Sequence, residues 1–211
     1  MSSNNENYNP NANPPNTIII FDWDDTLFCT SHFNSMGILN HNAPLCEKER
    51  EKLKKLERRV YKILNLSIQK GITYIITNSD EGWVEYSSKL YFPSLLPLLQ
   101  KIQVVSSRKL FQKIFPNDFY RWKMETFSKI VKKYDKNILM NIICVGDSIE
   151  EIDAGKKMAG YFEHCYVKTV KLNYKPKMKE VISQLNLIIA QYDKIYNTKK
   201  NWTITVEKKA N

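Results

Sequence analysis

The amino-acid sequence predicts an α/β protein, a Rossmann-like three-layer α/β/α sandwich with a mostly parallel central sheet. Short apolar runs alternate with helical patterns, an order typical of parallel sheets whose two faces are covered by helices. The runs are continuously apolar rather than alternating, as expected for strands buried on both faces. Polar residues follow three of these runs, and such sheets bind ligands beyond the carboxyl ends of their strands.

The first half of the chain contains two predicted strands. Thr17–Phe21 is a short β-branched run, and residues 28–44 are expected to be irregular. From Cys46, apolar residues recur at helical spacing until Gly71, a residue typical of the position that follows a helix. Ile72–Thr77 is the second predicted strand.

The middle of the chain continues the alternation. A helical pattern ends at Pro93, a short helix follows, and Ile102–Ser107 is the third predicted strand. Asn117 or Asp118 can cap the next helix, and the most apolar run, Ile138–Val145, is the fourth strand.

The last third contains a helix over Glu150–Ala159, a fifth strand over 164–172 and a long helix from about Pro176 to Tyr196. The run "WTITVE" is either an edge strand or part of a loose tail. We therefore expect a disordered Asn- and Pro-rich tail over 1–16, one domain over 17–196, and a tail or edge strand over 197–211.

Charge is unevenly distributed along the chain. The net charge is +10, yet residues 1–47 contain no Lys or Arg. The basic remainder is either a solvated Lys-rich surface or a surface that attracts acidic partners, nucleic acid among them. The four cysteines form no CxxC pair, and no apolar run reaches the length of a membrane span. We expect reduced thiols, no membrane insertion, and a cytoplasmic or nuclear location.

The stretch "TIIIFDWDDTLF" places three carboxylates at the end of a buried strand. Side chains alternate along a strand, so Asp22 and Asp24 share a side if the extended geometry persists, and Asp25 then points away. Asp147, after the fourth strand, supplies a further carboxylate at the same edge. Oxygen ligands of this kind suit Mg²⁺, and one carboxylate beside Mg²⁺ is a candidate nucleophile toward phosphorus.

Four strings in this order resemble the motifs of the haloacid dehalogenase superfamily of phosphatases: "FDWDDTL", "ITN", the Lys of "RWK" and "GDSIEEIDA". The resemblance covers about residues 17–172. Within the superfamily, "NSDEGWVEYS", "VVSSR" and "FPNDFYRWK" are similar to a group of protist proteins, most of unassigned substrate.

The resemblance implies a Mg²⁺-dependent phosphatase that works through an aspartyl-phosphate. Asp22 would be the nucleophile and Asp24 the general acid and base. Lys123 would neutralise the charge between Asp22 and the phosphoryl group. Thr77 and the backbone of Asn78 would hold phosphoryl oxygens, and Thr26 would brace the loop or contact substrate.

The implied metal ligands are Asp22, the backbone carbonyl of Asp24, Asp147 and Glu151. Glu151 would hold waters of the metal or orient Lys123, with Asp153 as an alternative partner. Asp25 stands where the superfamily often has Gly, and Asp tolerates positive φ better than most residues.

No segment is long enough for a separate cap domain, and capless members have open sites that admit large phosphorylated substrates. Trp23 and Trp83 are interpreted as packing residues or as residues at the mouth of a pocket. The alternatives are a low-turnover binding or scaffold protein of the same fold and a nucleic-acid-binding module that uses the Lys-rich helices.

Overall fold

The computed structural model describes residues 16–41 and 44–207. Six parallel strands form one sheet in the order β3-β2-β1-β4-β5-β6. The strands are β1 Asn16–Phe21, β2 Ile72–Thr77, β3 Gln103–Ser106, β4 Met140–Gly146, β5 Cys165–Lys171 and β6 Trp202–Thr205. From β1 the chain first adds strands on one side of the sheet, β2 and β3, and then on the other side, from β4 onward. In a Rossmann-like sheet, ligands bind in the crevice at such a point, here between β1 and β4.

Helices cover both faces of the sheet. They are α1 Thr30–Ser35, α2 Ile38–His41, α3 Glu47–Lys70, α4 Trp83–Tyr91, α5 Leu96–Leu99, α6 Ser107–Phe111, α7 Phe119–Val131, α8 Ile149–Ala159 and α9 Met178–Asn197. A 3₁₀ turn, Pro93–Leu95, precedes α5. The predicted Rossmann-like α/β architecture is therefore confirmed for the described residues.

Two apolar clusters hold the three layers together. Along β1, Ile18 and Ile20 pack into one cluster with α7 and α8, whereas Ile19 and Phe21 pack into the other with α3 and α9. These four strand residues are no more than 1% exposed, which explains why the strand is apolar without alternation. The burial of β1 fixes the place where the residues after Phe21 emerge.

Some predicted element boundaries are wrong. Residues 28–44 are not wholly irregular, because α1 and α2 lie within them and the carboxylate of Asp25 accepts the backbone N–H of Ser31 in α1 at 2.9 Å. The third strand is shorter than predicted, because the Ser106 hydroxyl accepts the backbone N–H of Lys109 and begins α6. Asp118, one of the two predicted caps, begins α7.

Both predicted tails lie partly outside the described residues. Residues 1–15 and 208–211 are not described, and Asn16 belongs to β1 rather than to a tail. Of the two alternatives for "WTITVE", the edge strand is the one observed, since β6 pairs with β5. The side chain of Asn201 accepts the backbone N–H of Val167 at 3.0 Å and anchors the start of β6.

The connections after β1 and β2 consist of helices and turns in the described part of the chain. Between β1 and α3 lie only α1 and α2, and between β2 and β3 only α4, the 3₁₀ turn and α5. Within residues 16–41 and 44–207 neither connection contains a second sheet. No helix in this part of the chain combines the length and the apolar character that crossing a bilayer requires.

A buried lysine gives the fold a pH-dependent stability. Lys168 is 0% exposed, and its Nζ lies 2.5 Å from Oδ1 of Asn141. Burial lowers the pKa of Lys168 to about 8, against a partial opposing effect of Cys165. At Lys168 the unfolded chain therefore holds up to one more proton than the native state between about pH 8 and pH 10.

The free energy of unfolding should rise with pH across this window in the wild type relative to Lys168→Met, because the native state no longer has to bury a charge. Urea unfolding of both proteins from pH 7 to pH 10 measures the difference. The loss of the hydrogen bond from Lys168 to Asn141 should change the free energy of unfolding of the variant by the same amount at every pH. Two parallel stability curves would contradict the assignment.

Candidate active site

The turn after β1 presents its polar groups at the carboxyl edge of the sheet. The backbone N–H of Asp22 still donates to the Val145 carbonyl of β4 at 3.0 Å, so Asp22 is fixed between β1 and β4. The chain then turns tightly, with the Trp23 carbonyl accepting backbone N–H groups from Thr26, Leu27 and Phe28. Asp25 has a φ of 59°, a left-handed conformation that Asp tolerates better than most residues.

Lys123 lies at the centre of the site. It is 1% exposed, and its Nζ is 2.6 Å from Oδ1 of Asp22 and 3.1 Å from Oε1 of Glu151. The Ile76 carbonyl of β2 also accepts from this ammonium group. Burial alone would lower the pKa of Lys123, but the two carboxylates outweigh it and raise the pKa above its usual value. The side chain is therefore a fixed cation between two carboxyl groups.

The carboxylates of the site are not fully neutralised by this cation. Burial raises the pKa of Asp22 well above its usual value, against the opposing effect of Lys123, and Glu151 and Asp147 raise it further. Burial also raises the pKa of Asp147 to about 7, with contributions from Glu151 and Asp25. An additional cation near Asp22 and Asp147 would relieve this repulsion.

Glu151 is positioned by the start of α8. The backbone N–H and the hydroxyl of Ser148 both donate to its Oε2, while its Oε1 pairs with Lys123. A Cβ on Gly146 would lie 2.6 Å from Cγ of Glu151, so only glycine lets the carboxylate approach this closely. Of the two implied roles for Glu151, the orientation of Lys123 fits these contacts. Asp153 instead accepts the hydroxyl of Tyr120 at 3.2 Å.

Asp24 is held by four hydrogen bonds. Its Oδ1 accepts from the Thr30 hydroxyl at 2.5 Å and from Nε1 of Trp83 at 2.9 Å. Its Oδ2 accepts from the Thr77 hydroxyl at 2.9 Å and from the Ser79 hydroxyl at 2.7 Å. In this arrangement Asp24 is an acceptor on both oxygens, so it has to give up part of this network before it can donate a proton.

The residues expected to bind substrate take different positions. Thr77 is 1% exposed, and its hydroxyl donates to Asp24. The Asn78 amide donates to the Phe119 carbonyl at 3.1 Å, and its buried Oδ1 has no hydrogen-bond partner among the described residues. The same holds for the buried hydroxyl of Thr26, which belongs to the turn that contains Asp25.

The carboxylate of Asp25 makes different hydrogen bonds from that of Asp24. Its carboxylate accepts both the backbone N–H and the hydroxyl of Ser31, at 2.9 and 2.5 Å. It remains electrostatically linked to the site, because its charge contributes to the raised pKa of Asp147. Asp24 and Asp25 thus have different hydrogen-bond partners, but the extended geometry on which the predicted alternation of sides depends does not persist, because the chain turns after Asp22.

A groove of about 350 Å³ opens beside Asp24. We call it the Trp83 groove; its lining includes Thr30, Asn34, Asn78, Ser79, Asp80, Trp83 and Arg108. Three of these residues also donate to Asp24, so the carboxylate lies next to the groove. Trp83 therefore lies at a pocket, as one of its two interpretations predicts, whereas Trp23 is 0% exposed and packs in the core.

The donor set fits a magnesium ion that keeps most of its waters. Among the described residues, no cluster of three or more His, Cys, Asp or Glu side chains is arranged to enclose an ion. Mg²⁺ is usually held in proteins by one or two carboxylates with waters and substrate phosphate completing the shell. Asp22 and Asp147, which follow the paired strands β1 and β4, can provide these two carboxylates. The raised pKa values of both groups indicate that a cation beside them would be favourable.

Several contacts of the site were not anticipated from the sequence. They come from Thr30, Ser79 and Trp83 to Asp24, from Ser148 to Glu151, and from Nζ of Lys171 to the Asp147 carbonyl at 2.5 Å. Ser79 lies two residues after Thr77 at a strand end, a spacing that could have indicated a shared direction.

Comparison with known proteins gives no match to a family model, a curated protein or a solved structure.

Proposed function

We propose that this chain is a Mg²⁺-dependent phosphatase of the haloacid dehalogenase type, which hydrolyses phosphomonoesters through an aspartyl-phosphate on Asp22. The observation that carries the proposal is the buried contact of Lys123 with both Asp22 and Glu151, next to Asp147. Titratable groups with strongly perturbed pKa values that converge from separate elements are typical of catalytic sites.

The roles of the residues follow from their positions. Asp22 attacks phosphorus, and the bond between phosphorus and the leaving oxygen breaks as the bond to the aspartate oxygen forms. Lys123 stays charged in its buried position and stabilises negative charge on Asp22 and on the transferred group. Glu151 holds Lys123 in place. Water then attacks phosphorus, which releases phosphate and restores the Asp22 carboxylate.

Asp24 is the proposed source of the proton for the leaving oxygen. Its four hydrogen-bond donors hold it beside the Trp83 groove, and a shift of Thr30 or Ser79 toward the substrate would remove one of the two hydrogen bonds that the contacted oxygen accepts. After the leaving group departs, the same carboxylate can accept a proton from the attacking water.

Bound Mg²⁺ would supply charge neutralisation for the phosphoryl oxygens and for the carboxylates that hold it. The candidate ligands are the carboxylates of Asp22 and Asp147 and the backbone carbonyl of Asp24. Lys171, on the Asp147 carbonyl, fixes the backbone that carries one of these ligands.

A second candidate is a phosphate-binding protein of this fold with little turnover. It is favoured by the four hydrogen bonds on Asp24, because an acid locked as an acceptor on both oxygens cannot protonate a leaving group. In this alternative the protein would bind phosphorylated ligands in the presence of Mg²⁺ and release no phosphate.

Hydrolysis of acetyl phosphate and p-nitrophenyl phosphate should require Mg²⁺, cease with EDTA and return when Mg²⁺ is added in excess. Asp147→Asn should need at least about tenfold more Mg²⁺ for half-maximal activity, because it removes a charged ligand. The same shift should appear without turnover, as a higher Mg²⁺ concentration needed to raise the melting temperature.

Asp153→Asn is the matched control, since Asp153 lies in α8 and contacts Tyr120. Its Mg²⁺ dependence should equal that of the wild type. A folded wild-type protein that binds phosphate with Mg²⁺ but hydrolyses nothing would favour the binding protein. Full activity in EDTA would rule out the metal-dependent mechanism.

A further inference from the structure

The two oxygens of the Asp24 carboxylate face different kinds of hydrogen-bond donor. Oδ2 accepts from two hydroxyl groups, that of Thr77 at 2.9 Å and that of Ser79 at 2.7 Å. Oδ1 accepts from the Thr30 hydroxyl at 2.5 Å and from the indole Nε1 of Trp83 at 2.9 Å. Of these four donors, Trp83 is the one that is not a hydroxyl group.

An indole N–H and a hydroxyl respond differently when a carboxylate takes up a proton. A hydroxyl can rotate and accept a hydrogen bond, whereas an indole N–H can only donate. The protonated oxygen of a carboxyl group uses one of its positions for the O–H bond, so it accepts less well than the other oxygen. The fixed donor on Oδ1 of Asp24 therefore favours a proton on Oδ2, where both partners can rotate.

Packing holds the indole of Trp83 in place. Its ring lies against the buried ring of Phe28, with centroids 6.2 Å apart, and against the ring of Tyr86, with centroids 6.1 Å apart. The Trp83 carbonyl accepts the hydroxyl of Ser87, a buried residue, at 2.7 Å. The indole N–H is thus aimed at Oδ1 of Asp24 by its surroundings.

Oδ2 is also the oxygen of Asp24 on the side of the proposed nucleophile. Thr77, one of its partners, directly follows Ile76, whose carbonyl accepts from the buried ammonium group of Lys123. Lys123 in turn lies 2.6 Å from Asp22. The partners of Oδ1 belong instead to helices α1 and α4. A leaving oxygen on a phosphorus atom next to Asp22 is therefore expected on the Oδ2 side.

The two hydroxyls on Oδ2 are not equally free to move. The Thr77 hydroxyl also accepts the backbone N–H of Ser79 at 2.9 Å, which ties it to the turn after β2. The Ser79 hydroxyl has Asp24 as its hydrogen-bond partner among the described residues. Ser79 is therefore the donor that can yield its place to a substrate.

We propose that Trp83 is a positioning residue, which keeps Oδ1 of Asp24 an acceptor and thereby places the transferable proton on Oδ2. This inference rests on the proposed phosphatase function. When substrate displaces the Ser79 hydroxyl, the proton on Oδ2 passes to the leaving oxygen as the bond between that oxygen and phosphorus breaks. The resulting carboxylate later takes a proton at the same oxygen from the attacking water.

The test is the dependence of kcat/KM on the leaving group, measured with substituted phenyl phosphates and saturating Mg²⁺. The ratio kcat/KM reports transfer to Asp22 and the steps before it, so the later hydrolysis of the phosphoenzyme does not enter. Protonation by Asp24 matters most for strongly basic leaving groups and least for p-nitrophenolate. The slope of log kcat/KM against the pKa of the released phenol should be shallow in the wild type and steep in Asp24→Asn.

Trp83→Phe should give a slope that approaches that of Asp24→Asn. It should lower kcat/KM for phenyl phosphate by about tenfold, the loss expected for one hydrogen bond to a charged group, and that for p-nitrophenyl phosphate by no more than about twofold. The two substrates present rings of similar size, so a wider groove affects both. A loss by the same factor across the whole series would show a structural defect alone and would overturn the inference.

Trp122→Phe is the matched control, because it removes an indole N–H that donates to the Phe115 carbonyl at 2.7 Å rather than to Asp24. Its slope should equal that of the wild type. Ser79→Ala should give a slope no steeper than that of the wild type, because its hydrogen bond to Oδ2 has to break before the proton is transferred.

Melting temperatures establish that the variants fold. If Trp83→Phe does not fold, the benzothiophene analogue of tryptophan at position 83 removes the N–H and keeps the shape of the two rings. The same steepening of the slope is expected for this isosteric replacement.

The outcomes separate this inference from the proposed function. Hydrolysis that depends on Mg²⁺, with equal slopes in wild type and Trp83→Phe or with a steeper slope in Ser79→Ala, would overturn the inference alone. Equal slopes in wild type and Asp24→Asn would remove Asp24 as the acid and the inference with it. A folded wild type that hydrolyses no member of the series with Mg²⁺ would overturn the inference and the proposed function together.

Discussion

Asp22→Asn should lower kcat for any phosphomonoester by on the order of a thousandfold or more, because it removes the proposed nucleophile and the covalent route with it. The substitution preserves the size of the side chain and keeps an oxygen for the 2.6 Å contact with Lys123. The pKa of the Asp22 carboxyl group is raised by burial and by neighbouring carboxylates, so its ionised form is unfavourable at this position. A neutral amide should therefore leave the protein folded. Initial rates with saturating Mg²⁺ and the melting temperature measure the two effects.

Asp25→Asn is the control for Asp22→Asn. Asp25 follows the same strand and is also buried, but its carboxylate contacts Ser31 rather than Lys123. It should retain most of kcat. Equal losses in the two variants would indicate that the turn, rather than the nucleophile, had been damaged.

Lys123→Met should lower the free energy of unfolding by about 3–5 kcal/mol and abolish turnover, because it leaves buried carboxylates without their cation. Lys123 is 1% exposed and contacts Asp22, Glu151 and the Ile76 carbonyl, all of which lose this partner together. Urea unfolding at pH 7 measures the loss.

Two further variants separate charge from packing at Lys123. Lys129→Met changes an exposed lysine of the same helix and should alter stability by less than about 0.5 kcal/mol. Adding Glu151→Gln to Lys123→Met should recover part of the lost stability, since one fewer buried charge is left unpaired. Additive effects of the two substitutions would contradict an ion pair between Lys123 and Glu151.

The central strands β1 and β4 were predictable because each is a nearly continuous apolar run. Ile18–Phe21 and Ile142–Val145 are almost wholly buried on both faces, a pattern that depends little on which element packs against them. The parallel order then brings the residues after β1, β2 and β4 to one edge, so the proximity of Asp22, Thr77 and Asp147 followed from topology. The short helices α1 and α2 were missed because their sequences carry no strong periodic apolar pattern.

The contacts of Asp24 were not predictable in the same way. Trp83 and Ser79 are 59 and 55 residues from Asp24 in sequence, and nothing local in either segment indicates a carboxylate partner. The turn at Asp25 depends on three backbone bonds to one carbonyl, which only the folded chain displays. Sequence patterns therefore locate the site, whereas its hydrogen-bond network depends on tertiary packing.

The most direct test of the central claim is to find the phosphoenzyme. Wild-type protein mixed with Mg²⁺ and a ³²P-labelled phosphomonoester, quenched in acid during turnover, should carry label that hydroxylamine removes, and peptide mapping should place it on Asp22. Asp22→Asn should carry none. Turnover with no trapped label at any quench time, or label on another residue, would contradict the account.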